Sequence, residues 1–389
     1  MEYRRAWAEI NLSNLAHNLT ALRKYLHNTP IMGIVKADAY GHGAVPIAQT
    51  LVREGINSLG VAICEEGVQL REAGINIPIL IMGFTPEPLL GDVIRQNLAQ
   101  TVFSPVGARA LATQASRFNK RAVVHIKIDT GMSRLGFLPN KESIDAICSI
   151  AEDPHLDIRG IYTHCATSDE LDNTFMLEQQ ARFNWVMQEL SQRGLHIMQK
   201  HMSNSGAFSQ TLRGFGNNGD VCNDGLFMDT VRLGILLYGY PPSAEMAEVC
   251  KILELKPLMR LMTQVSMVKQ LPANVGISYG HIYKTTCKSI IAVLPVGYAD
   301  GYPRRLSYGG KVLVKNQLAP IAGAICMDQC MADVTHINKN KEVKTGDPVV
   351  MLGTPEEKIS ADDLANIVGT ISYEILCGIG KRVPRVYTI

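Results

Sequence analysis

Hydrophobic positions in the first two-thirds of the chain alternate between helical and strand-like spacing. Leucines at intervals of three and four residues predict one apolar helix face: Leu12, Leu15, Leu19, Leu22 and Leu26. Ser13 is the candidate N-cap of this helix. The next segment, 31–35, is apolar almost throughout, which is typical of a strand buried on both faces.

This alternation continues and predicts eight strands with helices between most of them. The candidate strands are 31–36, 58–63, 78–83, 98–103, 122–129, 156–163, 197–203 and 228–232. Segments 105–118 and 172–193 have clear helical spacing. The pattern favours a (β/α)8 TIM barrel, with an open, doubly wound sheet as the alternative. In a barrel, the residues that follow each strand face the active site.

The helical spacing nearly vanishes after residue 245. Segments 261–271, 289–295, 311–315 and 348–352 resemble strands separated by Gly, Pro and Asn, and one short helix begins at a cap, Ser360. We therefore predict an α/β barrel domain over 1–245 and a mostly β domain over 246–389. The first residues of the chain are expected to pair with the β domain.

Composition narrows the function classes. The 389 residues exceed one average domain, and the net charge of +2 does not favour a nucleic-acid binder. No apolar run of about 18 residues predicts a membrane span, and residues 1–7 do not resemble a signal peptide. The nine cysteines lack the spacing of a zinc site, because the close pair Cys326 and Cys330 has no second pair beside it. We expect a cytoplasmic protein without a metal.

The predicted first strand ends at a lysine that is a candidate catalytic residue. Lys36 is followed by Tyr40 and by the turn Gly-His-Gly at 41–43. A desolvated lysine has a lowered pKa and a nucleophilic amine that forms Schiff bases. The alternative is a surface lysine after a strand.

Two further strand ends carry cationic or titratable side chains. Arg134 lies between Gly131 and Gly136, where a guanidinium would hold a carboxylate by two hydrogen bonds or pair with a local aspartate. His164 follows the sixth strand and is either a site residue or a core histidine.

The seventh and eighth strand ends are candidates for phosphate binding. The segment Ser203-Asn204-Ser205-Gly206 would open a helix with backbone N–H groups and hydroxyls. The eighth strand contains Arg232 and runs into Gly234 and Ile235. Each of these signals is weak alone.

Taken together, these segments resemble alanine racemase, a pyridoxal-phosphate enzyme family with a barrel followed by a β domain. The resemblance covers nearly the whole chain. The segments that carry it, in chain order, are VKADAYGHG, KIDTGMSRLG, YTHCATSDE, MSNSGA, VRLGILLYG, GISYG, PVGYADGYPRR, CMDQCM and YEILCGIGKRVPR.

The resemblance implies an amino-acid racemase that interconverts L- and D-alanine and supplies D-alanine for peptidoglycan. Lys36 would bind pyridoxal 5'-phosphate as a Schiff base (aldimine) and act as one acid/base group. Tyr279 would be the second acid/base group and would reach the cofactor from the partner subunit of a homodimer. The two groups would serve opposite faces of the substrate, as racemisation requires.

The resemblance also implies roles for further residues. Arg232 would contact the pyridine nitrogen, and His164 would link it to Tyr279. Further cofactor contacts would come from Tyr40, Asn204, Ser205, Gly234, Ile235 and Lys381. The substrate carboxylate would bind Arg134 and the backbone N–H of Met327. The supporting residues would be Lys127, His201, Tyr298 and Asp328, with Lys127 either carbamylated or a plain structural lysine.

Three departures from the family pattern leave the substrate open. Ala324 stands where many members have arginine, Lys381 stands where many have tyrosine, and the segment 214–229 is longer than usual. Serine is the competing substrate, because a pocket rejects an added hydroxyl only weakly. Three different functions compete with racemisation: a barrel-type amino-acid decarboxylase, a non-catalytic cofactor-binding protein and a barrel that acts on sugar phosphates.

Overall fold

A computed structural model describes residues 4–26, 28–213, 226 and 228–389. The longer segment noted at 214–229 therefore lies mostly outside the described residues. Two compact units are found, which we call the β unit (Met1–Asn14, Tyr40–Gly43 and Pro257–Ile389) and the barrel unit (Leu15–Ala39 and Ala44–Lys256). The sequence pattern predicts a division between residues 245 and 246, and the compact units divide between Lys256 and Pro257.

Strand β1 (Ala6–Asn11) belongs to the β unit, and the next eight strands form the barrel sheet. These are β2 (Ile31–Ile34), β3 (Ser58–Val61), β4 (Ile79–Ile81), β5 (Ala99–Val102), β6 (Ala122–Lys127), β7 (Leu156–Tyr162), β8 (Gln199–His201) and β9 (Val231–Leu233). All pair in parallel, in the order β8-β7-β6-β5-β4-β3-β2-β9.

Backbone hydrogen bonds join the two ends of this sheet. The N–H of Arg232 donates to the carbonyl of Ser203 at 3.0 Å, and that of Asp229 donates to Lys200 at 3.0 Å. The predicted barrel is confirmed, and the open, doubly wound alternative is wrong, because neighbouring strands follow one another around the sheet without reversal.

Nine α-helices of the described chain begin before residue 257. They are α1 (Leu12–Arg23), α2 (Ala44–Arg53), α3 (Cys64–Glu72), α4 (Leu90–Arg95), α5 (Pro105–Arg117), α6 (Lys141–Ala151), α7 (Thr174–Gln192), α8 (Ser205–Arg213) and α9 (Ala247–Ile252). Short 3-10 helices cover Glu87–Leu89, Ile235–Tyr238 and Ala244–Met246. None of the helices in the described ranges combines the length and the hydropathy that a membrane span requires.

The leucine face of α1 is buried as predicted, but its cap is not Ser13. Ser13 lies inside the helix, and the Oδ1 atom of Asn11 accepts a hydrogen bond from the N–H of Asn14 at 3.0 Å. Asparagine caps as well as serine, so either residue satisfies the local pattern. The last residue of β1 therefore caps the helix that follows.

The β unit contains two larger sheets and a hairpin. Its strands are β10 (Met259–Gln264), β11 (Met267–Leu271), β12 (Gly276–Ile277), β13 (Tyr283–Lys284), β14 (Ser289–Leu294), β15 (Lys311–Val314), β16 (Gln317–Pro320), β17 (Cys330–Asp333), β18 (Pro348–Leu352) and β19 (Arg385–Thr388). One sheet has the order β16-β15-β18-β10-β1-β19, a second is β11-β14-β17, and β12 pairs with β13. Within this unit, β1 pairs antiparallel with β10 and parallel with β19.

The β unit differs from the sequence expectation in two details. The run 261–271 forms two strands in different sheets, because the N–H groups of Val265 and Ser266 donate to Asp347 and Val293. The described part of the unit also contains three α-helices where one was expected: α10 (Thr335–Asn338), α11 (Ala361–Val368) and α12 (Ser372–Gly378). The predicted cap is confirmed, since the Ser360 Oγ accepts from the N–H of Asp363 at 3.2 Å.

Candidate active site

Lys36 begins a left-handed turn at the end of β2. The turn spans Lys36–Tyr40, and Ala37, Asp38 and Ala39 have φ of 53°, 53° and 54°. Each such residue with a Cβ costs about 1–2 kcal/mol. The N–H of Ala37 compensates by donating to the Oε1 of Glu66 at 2.6 Å. The turn leaves the Lys36 side chain half-buried just beyond the strand.

Arg232 lies on β9 and is 2% exposed. Its guanidinium donates to the carbonyls of Thr163 at 2.8 Å, His201 at 2.9 Å and Met202 at 2.9 Å. It also donates to the Nδ1 atoms of His201 at 3.0 Å and His164 at 3.2 Å. Burial lowers its pKa to about 10, so it stays charged at neutral pH. No carboxylate pairs with it among the described residues.

The arginine fixes the tautomers of the imidazoles beside it. Because a guanidinium only donates, the Nδ1 of His201 must accept, and its Nε2–H then donates to the Nδ1 of His125 at 2.9 Å. Burial, and then Arg232, lower the pKa of His201 well below its usual range. Burial, and then the charges of Arg159 and Arg232, lower the pKa of His125 to about 4. Both rings are therefore neutral at pH 7.

Lys127 is buried on β6 with its Nζ 4.7 Å from the centre of the Tyr162 ring. Burial first, and then Arg232 and Arg134, lower the pKa of this lysine well below its usual range. The Tyr162 hydroxyl shares a hydrogen bond of 2.9 Å with Thr101. An amine whose charged form is disfavoured by burial is thus held against an aromatic ring inside the barrel.

The charges of several basic side chains act on His164. Burial lowers the pKa of His164 well below its usual range, and four basic side chains lower it further: Arg232, Lys127, Arg134 and Lys36. These four groups lie on or just after three strands of the barrel, β2, β6 and β9. Such a site, with one buried guanidinium unpaired by an acid, fits a ligand with negative charge.

The ends of β8 and β9 are tied together. The Ser205 Oγ accepts from the N–H of Gly234 at 3.0 Å. Asn204 caps α8, since its Oδ1 accepts from the N–H of Ala207 at 2.9 Å. Ile235 begins the 3-10 helix after β9. The two predicted phosphate-binding segments are thus neighbours. Each of them opens a helix, α8 or the 3-10 helix at Ile235, and helix N-termini are typical phosphate-binding positions.

Arg134 lies exposed in the loop after β6. The expected alternative, a pair with a local aspartate, is not found: the Oδ1 of Asp129 accepts from the N–H groups of Gly131 at 3.0 Å and Ser133 at 2.9 Å. Gly136 has φ of 138°, and a Cβ there would lie 2.4 Å from the nitrogen of Asp129. The glycine therefore permits the close loop that presents the guanidinium.

The β unit holds a second group of candidate residues. Tyr279 lies at the tip of the β12–β13 hairpin and is 71% exposed. Met327 is 54% exposed, and its carbonyl accepts from the N–H of Ala299 at 3.0 Å. The N–H of Tyr298 donates to the carbonyl of Cys326 at 3.1 Å. Two backbone hydrogen bonds thus join the segments that carry Tyr298 and Met327.

The remaining predicted residues of the β unit lie near its C-terminal segment. Asp328 accepts from Arg382 at 2.8 Å, and the adjacent Lys381 is exposed. Tyr40 is buried with its ring centre 5.8 Å from that of Tyr373. Burial, and then Tyr373, raise the pKa of Tyr40, so its phenol stays protonated.

Sequence reasoning missed two supporting groups. His125, the outer partner of His201, lies two residues before Lys127 in the KIDTG region, and that proximity was the available signal. Arg5 binds the fully buried Asp300 with two hydrogen bonds, at 2.5 and 2.9 Å. Asp300 lies in the family-like segment PVGYADGYPRR, but nothing in the sequence paired it with Arg5.

Comparison with known protein families identifies the family of this chain. Residues 10–242 match the model described as alanine racemase, N-terminal domain, and residues 258–387 match alanine racemase, C-terminal domain. The chain belongs to the alanine racemase family. The enzymes of this family are isomerases, and they depend on pyridoxal phosphate.

Individual alanine racemases are similar over the full length. The alanine racemase of Clostridium novyi (strain NT) is 44% identical, over 99% of this chain and 95% of that protein. The solved alanine racemase of Clostridium difficile 630 has a TM-score of 0.92 and 40% identity, covering 100% of this chain and 97% of that one. The alanine racemase from D-cycloserine-producing Streptomyces lavendulae has a TM-score of 0.91 and 32% identity, covering 100% and 98%.

The structure sorts the alanine racemase candidates into two groups. In the barrel unit, hydrogen bonds, ring contacts and charge interactions link Lys127, His164, His201 and Arg232, and a hydrogen bond links Ser205 to Gly234. Tyr279, Tyr298, Met327 and Asp328 belong to the β unit. Their individual roles in catalysis and binding remain predictions.

Proposed function

We propose that this member of the alanine racemase family interconverts L- and D-alanine with pyridoxal 5'-phosphate, and so supplies D-alanine for peptidoglycan. The observation that carries this proposal is the buried guanidinium of Arg232, hydrogen-bonded to His164 and His201 at the barrel strand ends, where the charges of Lys36, Lys127 and Arg134 also lower the pKa of His164. A phosphorylated cofactor and an amino-acid carboxylate are the anions that such a site would accept. The eight cysteines of the described chain are free thiols, which supports a reducing, cytoplasmic location.

The donor set fits the cofactor. When bound, pyridoxal 5'-phosphate supplies an electron sink that makes the α-proton of an amino acid acidic. The amine of Lys36 would hold it covalently. Arg232 would face the pyridine nitrogen, where a guanidinium without a lone pair cannot accept a proton. The phosphate would be held by Tyr40, Asn204, Ser205, Gly234, Ile235 and Lys381.

Two groups would move the proton. Lys36 would serve one face of the α-carbon, and Tyr279 of the partner subunit would serve the other. Each would remove the proton from one enantiomer and return a proton to the other. His164, held neutral beside Arg232, presents an imidazole that would hydrogen-bond the incoming phenol.

Substrate orientation would fall to a cation and a backbone donor. Arg134 and the N–H of Met327 of the partner subunit would bind the carboxylate of the amino acid. Met327 and Tyr279 both belong to the β unit. Because both residues are expected to act from the partner subunit, a homodimer with two shared sites would be the working form of the enzyme.

The test is the rate of racemisation of L-alanine, L-serine and L-lysine, followed by chiral chromatography with added cofactor. We expect L-alanine to be fastest, and Lys36→Ala and Tyr279→Phe to lose most of the rate. A Lys381→Tyr variant, measured beside the parent, shows whether this departure alters the choice between alanine and serine. A faster serine rate would overturn the substrate, and release of CO₂ from lysine would indicate a decarboxylase instead.

A further inference from the structure

The turn that carries Tyr279 begins in a backbone conformation that is nearly exclusive to glycine. Ser278 has φ of 63° and ψ of −171°. A residue with a Cβ is strained in this region and persists there only when its surroundings hold it. The next two residues after Tyr279 also have positive φ, 69° at Gly280 and 44° at His281. Strain is thus concentrated on both sides of the tyrosine.

The side chain of Ser278 supplies a contact that offsets this strain. Its Oγ–H donates to the carbonyl of Ala324 at 2.6 Å. The Sγ of Cys326 lies 3.4 Å from the same Oγ and 3.6 Å from the carbonyl of Ala324. The hydroxyl therefore ties the hairpin tip to the backbone of the segment 324–327.

Close backbone approach at this point depends on Gly323. Its φ is 89°, and a Cβ there would lie 2.5 Å from the carbonyl oxygen of Ile277 and 3.0 Å from the Cβ of Ser278. The base of the hairpin has its own anchor, because the Tyr283 hydroxyl donates to Asp333 at 2.7 Å. At the tip, the Ser278 hydroxyl provides the corresponding anchor.

The segment held by Ser278 also carries Met327. Cys326, its neighbour, is fixed by an N–H bond to the carbonyl of Gln329 at 2.9 Å. One serine hydroxyl thus joins the tip that bears Tyr279 to the segment whose backbone N–H would bind the substrate carboxylate. We propose that Ser278 is a positioning residue that sets the phenol of Tyr279 relative to the bound substrate, an inference that rests on the function proposed above.

The use of serine rather than glycine makes this inference testable. Glycine would adopt the same backbone without strain, but it would lose the hydrogen bond to Ala324. If the hydroxyl served stability alone, Ser278→Gly would change the melting temperature and leave kcat near the parent value. A residue retained for positioning would give a Ser278→Gly variant that is at least as stable as the parent and a poorer catalyst.

The experiment compares Ser278→Gly and Ser278→Ala with the parent and with a matched control, Ser266→Ala. Ser266 also donates its hydroxyl to a backbone carbonyl of the β unit, that of Val293 at 3.0 Å, but on an exposed strand start. We expect Ser278→Gly to melt at or above the parent temperature, Ser278→Ala to melt lower, and both to lose on the order of 10-fold in kcat. Ser266→Ala should keep the parent kcat.

Isotope effects separate positioning from general damage. Tyr279 would remove the proton from one enantiomer and return it to the other, so a misplaced phenol slows deprotonation in one direction and reprotonation in the opposite direction. The primary isotope effect with α-deuterated alanine should therefore rise in Ser278→Gly for the enantiomer that Tyr279 deprotonates, and it should not rise for the enantiomer that Lys36 deprotonates. Equal changes for both enantiomers, or an unchanged kcat, would overturn the inference.

A second measurement does not depend on turnover. With 3-fluorotyrosine placed at position 279, the parent protein should give one sharp ¹⁹F resonance, and Ser278→Gly should give a broadened or split one. Identical sharp spectra would reject the positioning role. If the parent fails to racemise alanine, the proposed function falls, while the ¹⁹F comparison still decides whether Ser278 orders the tyrosine.

Discussion

Single residues at the barrel strand ends act through the direction of their hydrogen bonds. Arg232 donates from both terminal nitrogens, so each imidazole that faces it must accept. His201 in turn donates from its Nε2–H to the Nδ1 of His125. His125 lies opposite Gly160 at a bulge in the β6–β7 pairing. A Cβ at Gly160 would lie 2.2 Å from the Nδ1 of His125. The glycine therefore makes room for the last ring of the chain.

The neutral state of His125 predicts how stability changes with pH. Its pKa is about 4 in the folded chain and about 6.5 when unfolded. Between these values the unfolded chain binds a proton that the folded chain does not, so stability is present above pH 6.5 and is lost as the pH falls toward 4. Over this range, a His125→Asn variant should lose less free energy of unfolding than the parent, by up to about 1.4 kcal/mol per pH unit.

Melting temperatures between pH 7 and pH 4 check this prediction. His196→Asn, a change at an exposed histidine of the same unit, should follow the parent curve. The His125→Asn curve should fall less steeply than both, with the remaining slope due to His164 and His201. Parallel curves for all three proteins would contradict the assignment.

At the scale of elements, the left-handed turn after β2 depends on one carboxylate from α3. Glu66 accepts from Ala37 at 2.6 Å and from Ala62 at 2.7 Å. Hydrogen bonds to charged groups contribute about 1.5–3 kcal/mol each. Glu66→Ala should therefore cost at least about 1.5 kcal/mol and reduce covalent attachment of the cofactor at Lys36, measured by urea denaturation and by cofactor absorbance.

The neighbouring position provides the control for that experiment. Glu65 is exposed on the same helix, and its carboxylate makes no hydrogen bond within the described part of the chain. Glu65→Ala should leave both measurements near the parent values. Equal losses in the two variants would mean that helix charge, rather than support of the turn, explains the effect.

Helix caps show what local sequence can and cannot predict. The cap predicted at Ser360 forms, because Asp363 three residues later completes a reciprocal pair of hydrogen bonds. The cap predicted at Ser13 does not form, because Asn11 satisfies the same requirement two residues earlier. Similarly, apolar runs predict the eight barrel strands, but the bulge at His125 depends on pairing with Gly160 across the sheet.

The Ser360 cap gives a prediction of modest size. Ser360→Ala should destabilise the chain by about 1 kcal/mol, because the N–H of Asp363 loses its acceptor. Ser360→Thr keeps the hydroxyl and should retain most of the stability. Chemical denaturation followed by circular dichroism measures both, and a full loss in the threonine variant would point to packing instead of capping.

At the scale of the whole molecule, the sequence predicts a barrel domain and a mostly β domain. It does not predict which residues hold the candidate site residues in place. Strand ends mark Lys36, Arg134, His164 and Arg232 because parallel strands of a barrel share one mouth. The pairing of Arg5 with Asp300 is not predictable, since it joins residues nearly 300 positions apart. The role of Tyr279 comes from family resemblance, because its hairpin has no local pattern of its own.

A shared active site makes a prediction that a self-contained one does not. Lys36→Ala and Tyr279→Phe homodimers should each be nearly inactive. In a heterodimer purified through two different tags, one site combines both changes, and the other combines an intact Lys36 with an intact Tyr279 of the partner subunit. That heterodimer should recover roughly half of the parent racemase rate. If Lys36 and Tyr279 of one chain served the same site, every site would carry one change, and the heterodimer would be as inactive as its parents.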